Sequence, residues 1–126
     1  MKNKDREIIF NKFNGKCAYC GCKLEKGWHV DHIDPVIREL KHVKGKGYIA
    51  SNTMLKPELD ILENKNPSCA SCNIMKHSSD IEGFRLMILG FVKSLNKYSN
   101  QYKFAKKFGL ISENEQQVKY YFEKIK

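Results

Sequence analysis

The sequence predicts a small α+β domain held together by a metal staple. Three observations carry that prediction. Two cysteine pairs share one spacing, Cys17-x-x-Cys20 and Cys69-x-x-Cys72; a short strand-like run, Trp28 to Ile33, lies between them; and apolar residues recur at helical spacing on both flanks. A chain of 126 residues fits one compact domain and leaves little room for two. A domain that small gains much from a metal or a disulfide cross-link.

Residues 3 to 13 read as a helix, with Asn3 as cap, Ile8, Ile9 and Phe13 on one face, and Asn14-Gly15 as the stop. Cys17-Ala18-Tyr19-Cys20-Gly21 reads as a tight knuckle. Trp28-His29-Val30-Asp31-His32-Ile33 reads as a strand that stops by Asp34-Pro35. Signals are weaker over residues 36 to 60. There Lys44-Gly45-Lys46-Gly47 reads as a flexible basic loop and Pro57 as a boundary. Asn66-Pro67-Ser68 turns the chain into the second knuckle, and a helix is expected over 70 to 77. Ser79-Asp80-Ile81-Glu82 fits a capping box. It opens a helix with Ile81, Phe84, Ile88, Phe91, Val92 and Leu95 on one face, a stripe expected in the core with Trp28. Another short helix is expected over Gln101 to Phe108, ending at Gly109. Val118, Tyr120 and Phe122 alternate, which predicts a strand in the tail.

Net charge is +9, with lysines spread along the chain. A basic surface favours polyanions, with nucleic acid ahead of acidic membrane; the competing reading is a solvated lysine-rich face. The longest apolar stretches, such as Leu86-Met87-Ile88-Leu89, are far too short to span a bilayer. Met1 to Asp5 leads into mixed polar sequence rather than a signal peptide. The expectation is a cytoplasmic protein with no membrane partner.

Five cysteines in a reducing compartment point to metal rather than disulfides. Thiolates bind zinc tetrahedrally, and a Cys-x-x-Cys turn brings two sulfurs to one ion without strain. Cys17, Cys20, Cys69 and Cys72 together close a four-thiolate site with no open position, which is structural rather than catalytic. A redox pair is the alternative, but that motif belongs in a strand-to-helix turn of a βαβ unit and is not expected twice. Cys22 is left over as a bystander.

The stretch between and after the knuckles carries the chemistry. Asp31-His32 puts a carboxylate beside an imidazole where a strand stops. On a regular strand the two face opposite sides, so both approach one phosphate only if the strand ends there. Asn73 and His77 are four apart and share one face of the expected helix. Cys72 and Asn73 point about 100° apart on it, so that helix has room for zinc on one side and a second metal on another.

These residues resemble the HNH nuclease family, the zinc-knuckle branch of the ββα-metal nucleases. The matches are Cys17-x-x-Cys20, Asp31-His32, Asn64 and Cys69-Ala70-Ser71-Cys72-Asn73-x-x-Lys76. Glu63 to Cys69 is similar to the approach to the second knuckle in small phage and bacterial members. Glu82-Gly83-Phe84-Arg85 is similar to the helix that follows it. Phe108-Gly109-Leu110 and Tyr120-Tyr121-Phe122-Glu123 resemble some phage-type tails less specifically.

The resemblance implies a single nuclease domain over 1 to 126. Its ββα-metal core would lie at about 10 to 90 with flanking helices, followed by a helical and strand extension over 91 to 126. It implies a DNA endonuclease acting on the double strand, with no small-molecule cofactor, in a bacterial cell or phage-infected host. The products implied are 5′-phosphate and 3′-hydroxyl ends. His32 would be the general base, suited to it by an imidazole pKa of about 6.5. Asp31 and Asn73 would hold one divalent cation, His77 would match a further ligand position, and Asn64 would fix the loop carrying His32. Asn73 stands where the family usually has His. That oxygen ligand favours Mg2+ or Mn2+ over softer metals.

The segment from His32 to Asn64 is longer than in minimal family cores. Its His42, Lys44 and Lys46 read as a solvated loop ahead of a DNA-selecting one. Lys76 is expected to contact a phosphate, and Arg38 fits a phosphate clamp or a surface role equally. His29 reads as structural and Asp34 as a turn residue. The competing function is a non-catalytic zinc-stapled module that binds nucleic acid, which does not need the set Asp31, His32, Asn64 and Asn73.

Overall fold

Helices and small sheets share the chain, so the α+β class is observed. The computed structural model describes residues 2–36 and 38–125, without the side chains of residues 38, 39, 50 and 52–54. The order is α1 (Asn3–Asn11), β1 (His29–His32), β2 (Arg38–Val43), β3 (Gly47–Met54), β4 (Lys65–Ser68), α2 (Ala70–Lys76), α3 (Ile81–Leu89), α4 (Phe91–Tyr98), α5 (Asn100–Lys107) and α6 (Tyr121–Lys124). Short 3₁₀ turns occupy Pro57–Leu59 and Leu62–Asn64.

Helix α1 buries Ile9 and ends at Asn11, two residues short of the expected end; the turn beyond it carries Asn14 and Gly15, both with positive φ (54° and 78°). Its cap is Lys2 rather than Asn3, which is already helical. Strand β1 pairs antiparallel with β4, Asp31 opposite Asn66 and His32 opposite Lys65. Helix α2 follows β4 directly. Two antiparallel strands and a helix thus meet around Asp31 and His32.

Several sequence expectations are corrected. Residues 36 to 60 contain a β-hairpin, not a loop: β2 pairs antiparallel with β3, Lys41 opposite Ile49 and His42 opposite Tyr48. Gly45 and Gly47, at φ 85° and 75°, make its turn. The stripe from Ile81 to Leu95 is not one core helix. It breaks at Gly90, a poor helix former, and beyond the break Phe91, Val92 and Leu95 are each at least 40% exposed. The cap of α3 is Asp80, accepting from the Gly83 N–H at 2.7 Å, rather than Ser79.

The tail is a further correction, because its alternation marks burial without a strand. The Tyr121 and Phe122 N–H groups donate to the Tyr19 and Ala18 carbonyls at 2.9 Å each, pinning α6 onto the first knuckle. Gly21 makes that approach possible. It sits at φ 79°, and a Cβ there would lie 2.9 Å from the Tyr121 ring.

The core lies beneath this junction. Tyr19 packs edge-on against Phe84 and Tyr120, which stack on each other at 5.6 Å. Arg85 fastens the tail by donating to the Val118 carbonyl and to both Glu123 oxygens (2.8 and 2.9 Å). Among the described residues the buried apolar set is Ile9, Cys17, Ala18, Tyr19, Leu24, Phe84 and Tyr120. So small a set leaves room for a cross-link to add stability. No helix among the described residues is long and apolar enough to cross a membrane.

Candidate functional site

The staple forms where the two knuckles meet. The sulfurs of Cys17, Cys20, Cys69 and Cys72 all lie within 4.8 Å of one another, and those of Cys20 and Cys69 are 3.8 Å apart. Tetrahedral zinc with bonds of about 2.3 Å sets its sulfurs roughly 3.8 Å apart, so the four fit a structural metal ion such as zinc. Local structure prepares them. Cys69 caps α2, its sulfur accepting the Cys72 N–H at 3.4 Å, and the Cys17 N–H donates to the Cys22 carbonyl at 2.8 Å.

Four thiolates so close repel one another, and the thiols divide accordingly. A bond from the Cys72 thiol, with backbone N–H groups, outweighs burial and pulls Cys17 down to about 4. That same partnership pushes Cys72 far up, with burial adding to it. A dication removes the conflict by accepting all four as thiolates. Cys22 stands beside this group without belonging to it; burial and the neighbouring Cys20 push its thiol up to about 12.

Strand β1 ends on His32, 25% exposed at its side chain, with Nε2 2.9 Å from Oδ1 of Asp60. A carboxylate only accepts, so Nε2 carries the proton; Nδ1 has no hydrogen-bond partner among the described residues. Asp60 also accepts from Lys65 Nζ at 3.1 Å. The His32 ring first and then Lys65 hold its carboxyl below the usual carboxylate range. Asp60 therefore stays charged at pH values where ordinary carboxylates protonate, and the pairing is lost only as pH falls further.

Asn64 fixes this arrangement. It is buried, its Oδ1 accepts the Asp34 N–H at 2.9 Å, and its Nδ2 donates to the carbonyls of Asp34 (2.9 Å) and Leu59 (2.8 Å). The segment leaving His32 and the segment arriving at Asp60 are thus tied through one amide. Asp34 serves as the turn residue the sequence implies.

Asp31 is buried and points its Oδ2 at two donors, the Tyr19 hydroxyl and Lys76 Nζ, the latter at 3.0 Å. Burial and the Asp31 charge push the Tyr19 hydroxyl up, so it stays protonated as a donor. Lys76 is fully buried, and its other two protons reach the carbonyls of His32 (2.9 Å) and Ser79 (2.7 Å). The expected phosphate contact is therefore corrected. With no exposed surface and three donors engaged, Lys76 is an internal brace between β1 and the end of α2.

Removing that brace leaves a buried carboxylate unpaired, which costs about 3 to 5 kcal/mol. Lys76→Met is expected to lower stability by that amount in urea unfolding. A loss below about 1 kcal/mol, the range of surface ion pairs, would contradict the buried-brace role.

Asn73 is half-buried on α2 and its side chain has no hydrogen-bond partner among the described residues. His77 is exposed and ends α2 at φ 51°, ψ −126°, its Nδ1 3.1 Å from the Ser78 hydroxyl. The Ser79 N–H returns to the Lys76 carbonyl at 3.0 Å, closing a turn whose His77 position favours glycine. A histidine held there stores on the order of 1 to 3 kcal/mol of strain. Among the described residues, no second group of three or more His, Cys, Asp or Glu ligands converges besides the cysteines. His29 is exposed at the start of β1. The side chain of Arg38 lies outside the described residues.

Sequence reasoning missed Asp60 and Tyr19. No short spacing links Asp60 to His32, whereas Tyr19, an aromatic inside the first knuckle, was visible without its partner. The larger concavities lie elsewhere, one of about 990 Å³ between α3, α4 and residues 113–119, another of about 710 Å³ between α1 and Leu62-Glu63. No family model matches the chain, and no curated protein and no solved structure matches it either.

Proposed function

We propose that this protein is a metal-dependent DNA endonuclease of the HNH type, hydrolysing phosphodiester bonds in the double strand. The observation that carries the reading is the His32–Asp60 pair, a part-exposed imidazole whose Nε2 proton is held by a carboxylate at 2.9 Å. Its free Nδ1 is what a general base needs. The order β1, β4, α2, the His32 clamp made by Asn64 and the net charge of +9 support it.

In this mechanism Nδ1 of His32 takes a proton from water as the water oxygen bonds to phosphorus. The bond to the 3′ oxygen breaks and that oxygen takes a proton from solvent water, leaving a 5′-phosphate and a 3′-hydroxyl. Asp60 holds the ring and balances the imidazolium that forms. Asn64 keeps both in register. Asp31 and Asn73, with His77 beyond, are the residues that would hold the divalent cation, Mg2+ or Mn2+, whose chemistry is to stabilise charge growing on the phosphate oxygens. Their donors fit such a hard ion: Asp31 has Oδ1 without a partner among the described residues, and the Asn73 amide is unengaged.

One observation favours the second reading, a zinc-stapled module that binds nucleic acid without cutting it. Lys76 at 3.0 Å already neutralises Asp31, which weakens its hold on a cation. Supercoiled plasmid separates the two readings. Incubation with Mg2+ or Mn2+ is expected to yield nicked or linear DNA with 5′-phosphate ends that ligate. Binding without any cleavage would favour the module.

A further inference from the structure

The hairpin β2–β3 is an unusual thing for a small domain to carry. None of its described residues is buried, and Leu40 and Tyr48 are 67% and 72% exposed. A two-stranded hairpin with no buried face is marginal in water. This one nevertheless has five paired positions, with a register shift between Arg38 and Leu40, and a His42–Tyr48 ring contact at 5.3 Å across the strands.

Its attachment is specific. The first foot leaves β1 just after His32; the second returns through Pro57–Leu59 to Asp60. Asn64 ties the two feet together, bonding Asp34 on one and Leu59 on the other. The ribbon is therefore fastened at both feet beside the two residues of the His32–Asp60 pair.

We infer that this hairpin is a DNA-docking ribbon that lies in a groove of the duplex and sets which phosphate reaches His32, an inference that rests on the nuclease reading above. Charge chooses the partner. Across Arg38 to Met54 there are four basic residues and one acidic, and Lys41, Lys44 and Lys46 are exposed. A strand of six residues spans about 20 Å, and the major groove, about 12 Å wide, admits a two-stranded ribbon. The lysines meet phosphates of the groove walls. Alternation along β2 and β3 puts Leu40, His42 and Tyr48 on one face, an apolar and aromatic surface suited to base edges.

The test compares wild type with a variant carrying Lys41→Ala, Lys44→Ala and Lys46→Ala, all exposed positions outside the core. Binding of a labelled duplex is measured across a salt series without added divalent cation, and cuts are then mapped on a defined linear duplex with Mn2+. Each lost phosphate contact flattens the salt dependence of log affinity by about 0.9. The variant is expected to flatten it by roughly 2 to 3 and to lose the wild-type pattern of cut positions, with zinc content unchanged. If wild type binds and cuts while the variant keeps both slope and pattern, the ribbon is not the docking element and the nuclease reading stands. If wild type neither binds nor cuts duplex, the nuclease reading fails and the ribbon's role falls with it.

Discussion

Cys69→Ser is expected to release the metal and unfold the protein, whereas Cys22→Ser leaves both metal and fold in place. Cys69 closes the four-sulfur group and also caps α2. A four-thiolate zinc site contributes on the order of 10 kcal/mol, as much as the whole stability of a small domain. The buried apolar set around Tyr19 and Phe84 is too small to compensate. Metal analysis of protein purified without added zinc is expected to give about one ion per wild-type chain. Circular dichroism of the two variants then checks the fold. Acid has the same effect as Cys69→Ser. The bound state needs thiolates, so retention is strongest at high pH and is lost as pH falls and protons displace the metal. If Cys22→Ser unfolds the chain as badly as Cys69→Ser, the ligand assignment is wrong.

His32→Ala is expected to lower cleavage by about two to four orders of magnitude, the usual contribution of a general base, with DNA binding unchanged. The side chain is a quarter exposed and its partner among the described residues is Asp60, so the fold loses little. Asp60→Asn is expected to fall between this variant and wild type. An amide in place of the carboxylate still occupies the position but no longer balances the imidazolium. Rates are compared at saturating DNA, so that a change in affinity does not pass for a change in chemistry.

Local signals in the sequence were faithful where chemistry is local. The two knuckles, α1, α2 and the strand ending at His32 follow from cysteine spacing, apolar periodicity and Asp34-Pro35. Errors came where a distant partner decides the outcome. Tyr120 and Phe122 alternate like a strand, but their segment is captured by the carbonyls and ring of the first knuckle. Phe91, Val92 and Leu95 have helical spacing, but the break at Gly90 takes them away from the core. Lys76 looks like a surface cation until Asp31 and two carbonyls are found around it. Asp60 is invisible for the same reason, because its meaning depends on a strand end 28 positions earlier. The hairpin was hidden by its own composition, since Lys41 to Tyr48 lacks the apolar alternation by which strands are recognised.

The division of labour at the site is tested most directly by titrating Mn2+ against cleavage by wild type, His32→Ala and Asp31→Asn. Asparagine is preferred to alanine at position 31 because its carbonyl keeps an acceptor for Tyr19 and Lys76. Zinc content of all three proteins serves as the check on folding. The account predicts that Asp31→Asn needs more Mn2+ and recovers part of its activity as the concentration rises, while His32→Ala stays low throughout because metal does not replace a missing base. Full activity in His32→Ala at any concentration of Mn2+ would contradict it.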